Sequence, residues 1–132
     1  MPNILTSLIS KQTLKYGERA AFSFKAEPQG KWIDTSWNEF SRKVDMAACS
    51  LEILGMEPEA TVGVFSANRP EILITDFAAF ANRVVPVSIY STSSEEQVEY
   101  IVNDARINML FVGNEEQYHI ARKLSLIHIS EP

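Results

Sequence analysis

The chain has 132 residues and a formal net charge of −5; 45% of it is hydrophobic and 22% charged. That balance belongs to one soluble globular domain with a modest core. The acidic excess and the absence of a lysine or arginine cluster argue against nucleic acid as a partner. No apolar run approaches the ~18 residues of a membrane span, so any membrane contact is expected to be peripheral and made by parts outside this stretch.

Asn3 to Tyr16 reads as a helix with Ile4, Leu5, Leu8, Ile9 and Leu14 on one apolar stripe and Gly17 as its stop. The N-terminus does not place a basic stretch before a long apolar core, so it does not read as a secretory leader. Ala20 to Lys25 and Lys31 to Thr35 read as two strands joined by the turn Glu27-Pro28-Gln29-Gly30, a β-hairpin with Phe22 and Phe24 on one face. Ser36-Trp37-Asn38-Glu39 fits a capping box, opening a helix that runs to about Leu54. Phe40, Val44, Ala47, Ala48, Leu51 and Leu54 are expected to face inward, and Gly55 to end the helix. Cys49, the one cysteine, lies on this helix. It is expected to act as a small apolar filler in a reducing cytoplasm.

From Thr61 the pattern alternates. Thr61 to Phe65, Val84 to Ser88 and Ile107 to Val112 read as strands. Between them lie a helix from Pro70 to about Asn82, apolar on most sides and expected to be well buried, and a helix from Glu95 to Asp104 with Val98, Ile101 and Val102 inward. Glu115 to Lys123 begins another helix. Right-handed crossovers would make the strands a parallel sheet covered on both faces. The expected fold is α/β: a partial, doubly wound, mainly parallel sheet preceded by a helix and a hairpin. The strand at Ile107 to Val112 is expected to be left as an open edge, and the fragment to be poorly soluble on its own.

The chemistry-bearing patterns are few. The sequence contains neither a phosphate loop of the G-x-x-x-x-G-K-[ST] type nor a G-x-G-x-x-G fingerprint, and it has no Cys/His set at zinc spacing. A Ser-His-Asp triad would have to recruit His119 from a surface-like helix. Two loops follow strands, at the sheet edge where α/β proteins bind ligands. In Ile89-Tyr90-Ser91-Thr92-Ser93-Ser94 the hydroxyls could meet phosphate or ribose. The stronger reading is a helix cap, because Ser94-x-x-Gln97 fits a capping box. Tyr90 is expected to pack with its hydroxyl satisfied. In Ser66 to Arg69, Arg69 could meet an anion, but a solvated surface arginine is the stronger reading. Glu95-Glu96 suits the positive end of a helix dipole.

Three of these stretches carry a family resemblance that covers nearly all of Asn3 to Lys123. Asp34 to Phe40 resembles a strand leading into a helix in the AMP-forming acyl-CoA synthetases. Gly63 to Glu71 looks like that family's strand followed by an N-x-P-E helix start. Val85 to Ser94 with Gln97 to Ile101 is similar to the long-chain fatty-acid ligases in particular; many other members have Asn where this chain has Ser88. The resemblance implies an enzyme that activates a fatty acid with ATP and Mg²⁺ to an acyl-adenylate and passes the acyl group to coenzyme A. The family's phosphate-binding loop, acidic and arginine motifs and mobile C-terminal domain lie beyond the matched region, so no catalytic, cofactor-binding or metal-binding residue is carried over. No cofactor is expected to bind this stretch.

Leu124 to Pro132, LSLIHISEP, resembles one translated frame of the transposase adapter used in sequencing libraries. It is expected to be a non-native tail that forms no closing element and leaves His119 as the one native histidine. Residues 1–123 then read as the N-terminal part of the adenylation domain, inactive alone. Two alternatives stay open. One is a free-standing small α/β binding module. The other is the N-terminal part of an acyl-AMP ligase with another acceptor.

Overall fold

A computed structural model describes residues 4–124 and the two-residue strand His128–Ile129. The order is α1 (Ile4–Tyr16), β1 (Ala20–Phe24), β2 (Ile33–Ser36), α2 (Trp37–Ile53), β3 (Thr61–Phe65), α3 (Pro70–Ala81), β4 (Val85–Ile89), α4 (Glu95–Asp104), β5 (Met109–Val112), α5 (Glu115–Arg122) and β6 (His128–Ile129). β1 and β2 pair antiparallel as a separate two-stranded sheet. The main sheet has the order β4-β3-β5-β6, with β3 parallel to both β4 and β5.

The period of two along β3 and β5 sends alternate side chains to opposite faces. Phe65, Leu110 and Val112 join Val98 and Val102 of α4 and Ala121 of α5 in one core cluster. Val62 and Met109 join Leu51 of α2 and Ala78 and Ala79 of α3 in the other. The sheet is thus covered on both faces, as its alternating sequence requires. A third cluster, around Ile9, Phe40 and Val44, ties α1 and the hairpin to α2. An edge-to-face series of rings, Phe22–Phe40 at 5.3 Å and Phe40–Phe77 at 5.8 Å, links the hairpin through α2 to α3.

Three successive helices end in the same way. Gly55, Arg83 and Arg106 adopt left-handed backbone at φ 87°, 59° and 52°. At each, that residue's N–H and the next residue's N–H return to the last turn: Gly55 to Glu52 and Met56 to Leu51, Arg83 to Phe80 and Val84 to Ala79, Arg106 to Asn103 and Ile107 to Val102. This is the Schellman arrangement, with a buried apolar residue (Met56, Val84 or Ile107) directly after it. Each cap turns the chain toward the next strand.

Several expectations need correction. In α1, Ile9 is buried, but Ile4, Leu5 and Leu14 are exposed, so its apolar residues do not form one inward stripe. Leu54 caps α2 from the outside and is exposed. Cys49 is exposed, because the buried stripe Phe40–Val44–Leu51 leaves it on the outer side with Asp45 and Met46. α3 fully buries only Ala78 and Ala79, while Leu73 is exposed, so the helix is less buried than its apolar sequence suggests. The outer side of β5 is not left open, since Met109 and Leu110 pair with His128 and Ile129. Leu124, assigned to the tail, is buried in the first core cluster. Unpaired strand groups and an apolar residue just past an amphipathic helix suffice for both contacts. The rest of the tail, residues 125–127 and 130–132, lies outside the described residues.

Candidate functional site

The carboxyl ends of β3, β4 and β5 bring three loops together. From β3 the chain leaves toward α3 on one face. From β4 and β5 it leaves toward α4 and α5 on the other. The order β4-β3-β5 therefore reverses direction between β3 and β5, the position where ligands bind in open α/β sheets.

That crevice is small, about 110 Å³, and Arg69, Val64, Phe111 and Gly113 are among its lining residues. Arg69 Nη1 donates to the Gly113 carbonyl oxygen at 3.1 Å, and Arg69 Nε lies 4.0 Å from Glu71. The guanidinium is half exposed, in keeping with the surface arginine read from the sequence, and it also bonds to the loop that follows β5. Gly113 cannot be replaced quietly: a Cβ there would sit 2.8 Å from Ser66 Cβ and 3.0 Å from Gln117 Oε1.

A larger cleft of about 470 Å³ opens between the ends of β3 and β4. Ser66, Asn68, Ser88 and Ser91 supply polar groups over an apolar floor of Val64, Ile72 and Ile89. The hydroxyl loop is split. Ser91 lines this cleft, whereas Thr92 and Ser93 face a second one of about 500 Å³ against Gln97 and Tyr100 of α4. Tyr90 borders both clefts and is 86% exposed. It is not packed as expected, because strand alternation past the buried Ile89 turns it outward.

Ser94 makes the complete capping box. Its Oγ accepts from Gln97 N–H at 3.3 Å, and its own N–H donates to Gln97 Oε1 at 2.9 Å. Ser36 caps α2 by accepting from Glu39 N–H at 3.1 Å, while the Glu39 carboxylate lies 3.4 Å from Lys43. His119 is exposed on α5, 3.6 Å from Glu115.

Gln117 is the residue the sequence reading missed. It is only 3% exposed. Its Oε1 accepts from Gly113 N–H at 3.0 Å, and its Nε2 donates to the Ser91 carbonyl at 3.4 Å. Together with Arg69 it stitches all three loops. The available signal was Asn114-x-x-Gln117, where Asn114 Oδ1 caps α5 by accepting from Gln117 N–H at 2.8 Å. The side chain, however, turns to the neighbouring loops. Among the described residues no group of three His, Cys, Asp or Glu could hold a metal ion. The site as a whole is a braced sheet edge with shallow polar clefts.

The model of the family described as AMP-binding enzyme matches residues 9–130. The long-chain-fatty-acid–CoA ligase FadD15 of Mycobacterium bovis is 36% identical over 96 residues, covering 73% of this chain and 16% of the relative. Fatty acyl-CoA synthetase B of Dictyostelium discoideum is 33% identical over 109 residues, covering 80% and 16%. The chain therefore spans about a sixth of the length of these relatives. Among solved structures, the anthranilate CoA ligase AuaEII in complex with anthranoyl-AMP superposes with a TM-score of 0.82 at 17% identity, over 97% of this chain and 24% of that one. This last likeness shows a shared fold. The chain belongs to the AMP-binding enzyme family.

Proposed function

We propose that residues 1–123 form the N-terminal part of the adenylation domain of an AMP-forming long-chain fatty-acid–CoA ligase acting in the cytoplasm, and that residues 124–132 are a non-native tail. The observation that carries this reading is the likeness to long-chain fatty-acid–CoA ligases over most of the chain. In such an enzyme a fatty-acid carboxylate attacks the α-phosphorus of ATP, giving acyl-adenylate and pyrophosphate; the coenzyme A thiol then displaces AMP. The transition states demand charge neutralisation on the phosphates.

The residues present do not fit that demand. The cleft between β3 and β4 is lined by hydroxyl, amide and apolar groups, with no lysine or arginine among them; Arg69 lies in the neighbouring crevice and bonds to Gly113. No step of adenylation is assigned to this region. Its part is to hold the sheet edge in place through Arg69, Gln117 and the Ser94 cap.

The test is to amplify genomic DNA from a primer inside the Val84 to Asp104 coding region and read past Lys123. A frame continuing into a Gly-rich, lysine-terminated loop supports the proposal. A stop directly after Pro132 overturns it. Purified chain that forms acyl-CoA from fatty acid, ATP and coenzyme A would refute the scaffold role.

A further inference from the structure

Two helices on opposite sides of the main sheet carry opposite charge. α1 contains Lys11 and Lys15 and no acidic residue. α4 contains Glu95, Glu96, Glu99 and Asp104 and no lysine or arginine. α1 packs on α2 and α3, which cover one face of the sheet, whereas α4 covers the other. The two helices therefore do not meet within one molecule.

Successive helical residues advance about 100°, which places Ile4, Lys11, Leu14 and Lys15 within one arc of about 100°, opposite the buried Ile9. Ile4 is 77% and Leu14 91% exposed. On α4 the same rule puts Glu96, Glu99, Tyr100 and Asn103 on one arc, away from the buried Val98 and Val102. Tyr100 is exposed. The cleft that Tyr90 borders against α4 continues along the helix into another of about 500 Å³ at Glu99, Asn103 and Asp104; Glu96 and Tyr100 line both. Of the four carboxylates only Glu95 has an ion-pair partner among the described residues, Lys123 at 3.4 Å.

Each face supplies what the other lacks. The ammonium groups of α1 match the unpaired carboxylates of α4 and can also sit over tyrosine rings. Ile4 and Leu14 match the apolar part of the clefts. Like charges disfavour α1 on α1 and α4 on α4, so the arrangement selects the mixed contact. We propose that the outer face of α4 is a docking site for α1 of a second copy of this chain. The contact is heterologous: each copy keeps one face of each kind free, and copies add head to tail. Two single-helix faces make a contact of the weak, transient class, populated at high protein concentration. This inference does not depend on the ligase reading.

The test is sedimentation equilibrium of the full chain over a range of concentrations. The average mass is expected to rise with concentration in low salt and to return to that of a monomer in high salt. Lys11→Glu with Lys15→Glu should sediment as a monomer in low salt, and so should Glu96→Lys with Glu99→Lys. All four positions are on helices, and lysine and glutamate are both good helix formers. An equimolar mixture of the two double variants should associate again, because α1 of each then complements α4 of the other. Leu14→Ser, which leaves every charge in place, should raise the concentration needed for association. A parent that stays monomeric in low salt, association that survives both double variants, or a mixture that stays monomeric would overturn the proposal.

Discussion

The Arg69 guanidinium reaches across the reversal point of the sheet and donates to the Gly113 carbonyl oxygen at 3.1 Å. The two residues lie on loops that depart to opposite faces, so the bond extends the β3–β5 pairing past the last ladder bond, from Gly113 N–H to the Phe65 carbonyl. Gly113 makes that approach geometrically feasible, since a Cβ there would press on Ser66. Gly113→Ala should destabilise the fold by about 1–3 kcal/mol, as overpacking does. Arg69→Ala should cost less, about 1 kcal/mol, because the guanidinium is half exposed. Urea unfolding of both variants checks the order. A Gly113→Ala midpoint equal to that of the parent would show that the loops do not approach this closely.

Gln117 carries the complementary bonds from inside. Replacing it with Met keeps the volume and removes both side-chain hydrogen bonds. Gly113 N–H would retain its bond to the Phe65 carbonyl at 3.0 Å, whereas the Ser91 carbonyl would lose the Gln117 donor. The expected loss is about 1–2 kcal/mol. Hydrogen exchange should show faster opening at the start of α4 and α5 than at β3. Uniform acceleration across the sheet would mean that Gln117 supports the whole core and not the loop seam.

Ser93 and Ser94 are adjacent hydroxyls with different work. Ser94→Ala should lower stability by about 1 kcal/mol, because α4 loses its cap. Ser93→Ala should lie within about 0.5 kcal/mol of the parent, as for a surface change that breaks no cap or buried bond. Thermal unfolding of the two variants separates them. Equal effects would contradict the capping assignment.

The strand–helix alternation from Thr61 onward, the hairpin and the Ser94 cap were legible because each rests on local signals: period, turn residues and an S-x-x-Q spacing. What was not legible depends on the third dimension. Nothing in the sequence around Gln117 says that its amide leaves its own helix for Ser91. Cys49 looks like core filler until the stripe Phe40–Val44–Leu51 fixes which side of α2 faces inward. Gly55 announced one helix end, but Arg83 and Arg106 make the same turn without glycine and gave no sign of it. In the loops, hydroxyl content alone could not show that Ser91 and Ser93 would face different clefts.

The non-glycine caps lead to a stabilising substitution. Arg106 holds a left-handed backbone at φ 52°, which costs an L-residue about 1 kcal/mol relative to glycine. Arg106→Gly should therefore raise stability by up to about 1 kcal/mol, partly offset by the greater freedom of glycine in the unfolded chain. Arg83 is a poorer choice, since its guanidinium lies 3.8 Å from Glu59. The check is the urea midpoint of Arg106→Gly with an unchanged slope. A lower midpoint would mean that the arginine side chain makes a contribution larger than its backbone cost.

Asp76, on α3, has its Oδ1 buried without a hydrogen-bond partner among the described residues. Desolvation holds its carboxyl above the ordinary carboxylate pKa. The consequence for stability has a definite sign. Below the ordinary value the group is protonated in both states and carries no charge penalty. As pH rises between the ordinary and the raised value, the unfolded chain releases the proton first, and the folded state loses stability through that window. Above the raised value the loss is complete. Asp76→Asn should therefore unfold at higher temperature than the parent near neutral pH, and the gap should close as the pH falls below the ordinary carboxylate range. Melting curves of both proteins across that range decide the matter. A gap that stays constant with pH would show that the carboxylate is not buried at a cost, and that the asparagine acts through packing alone.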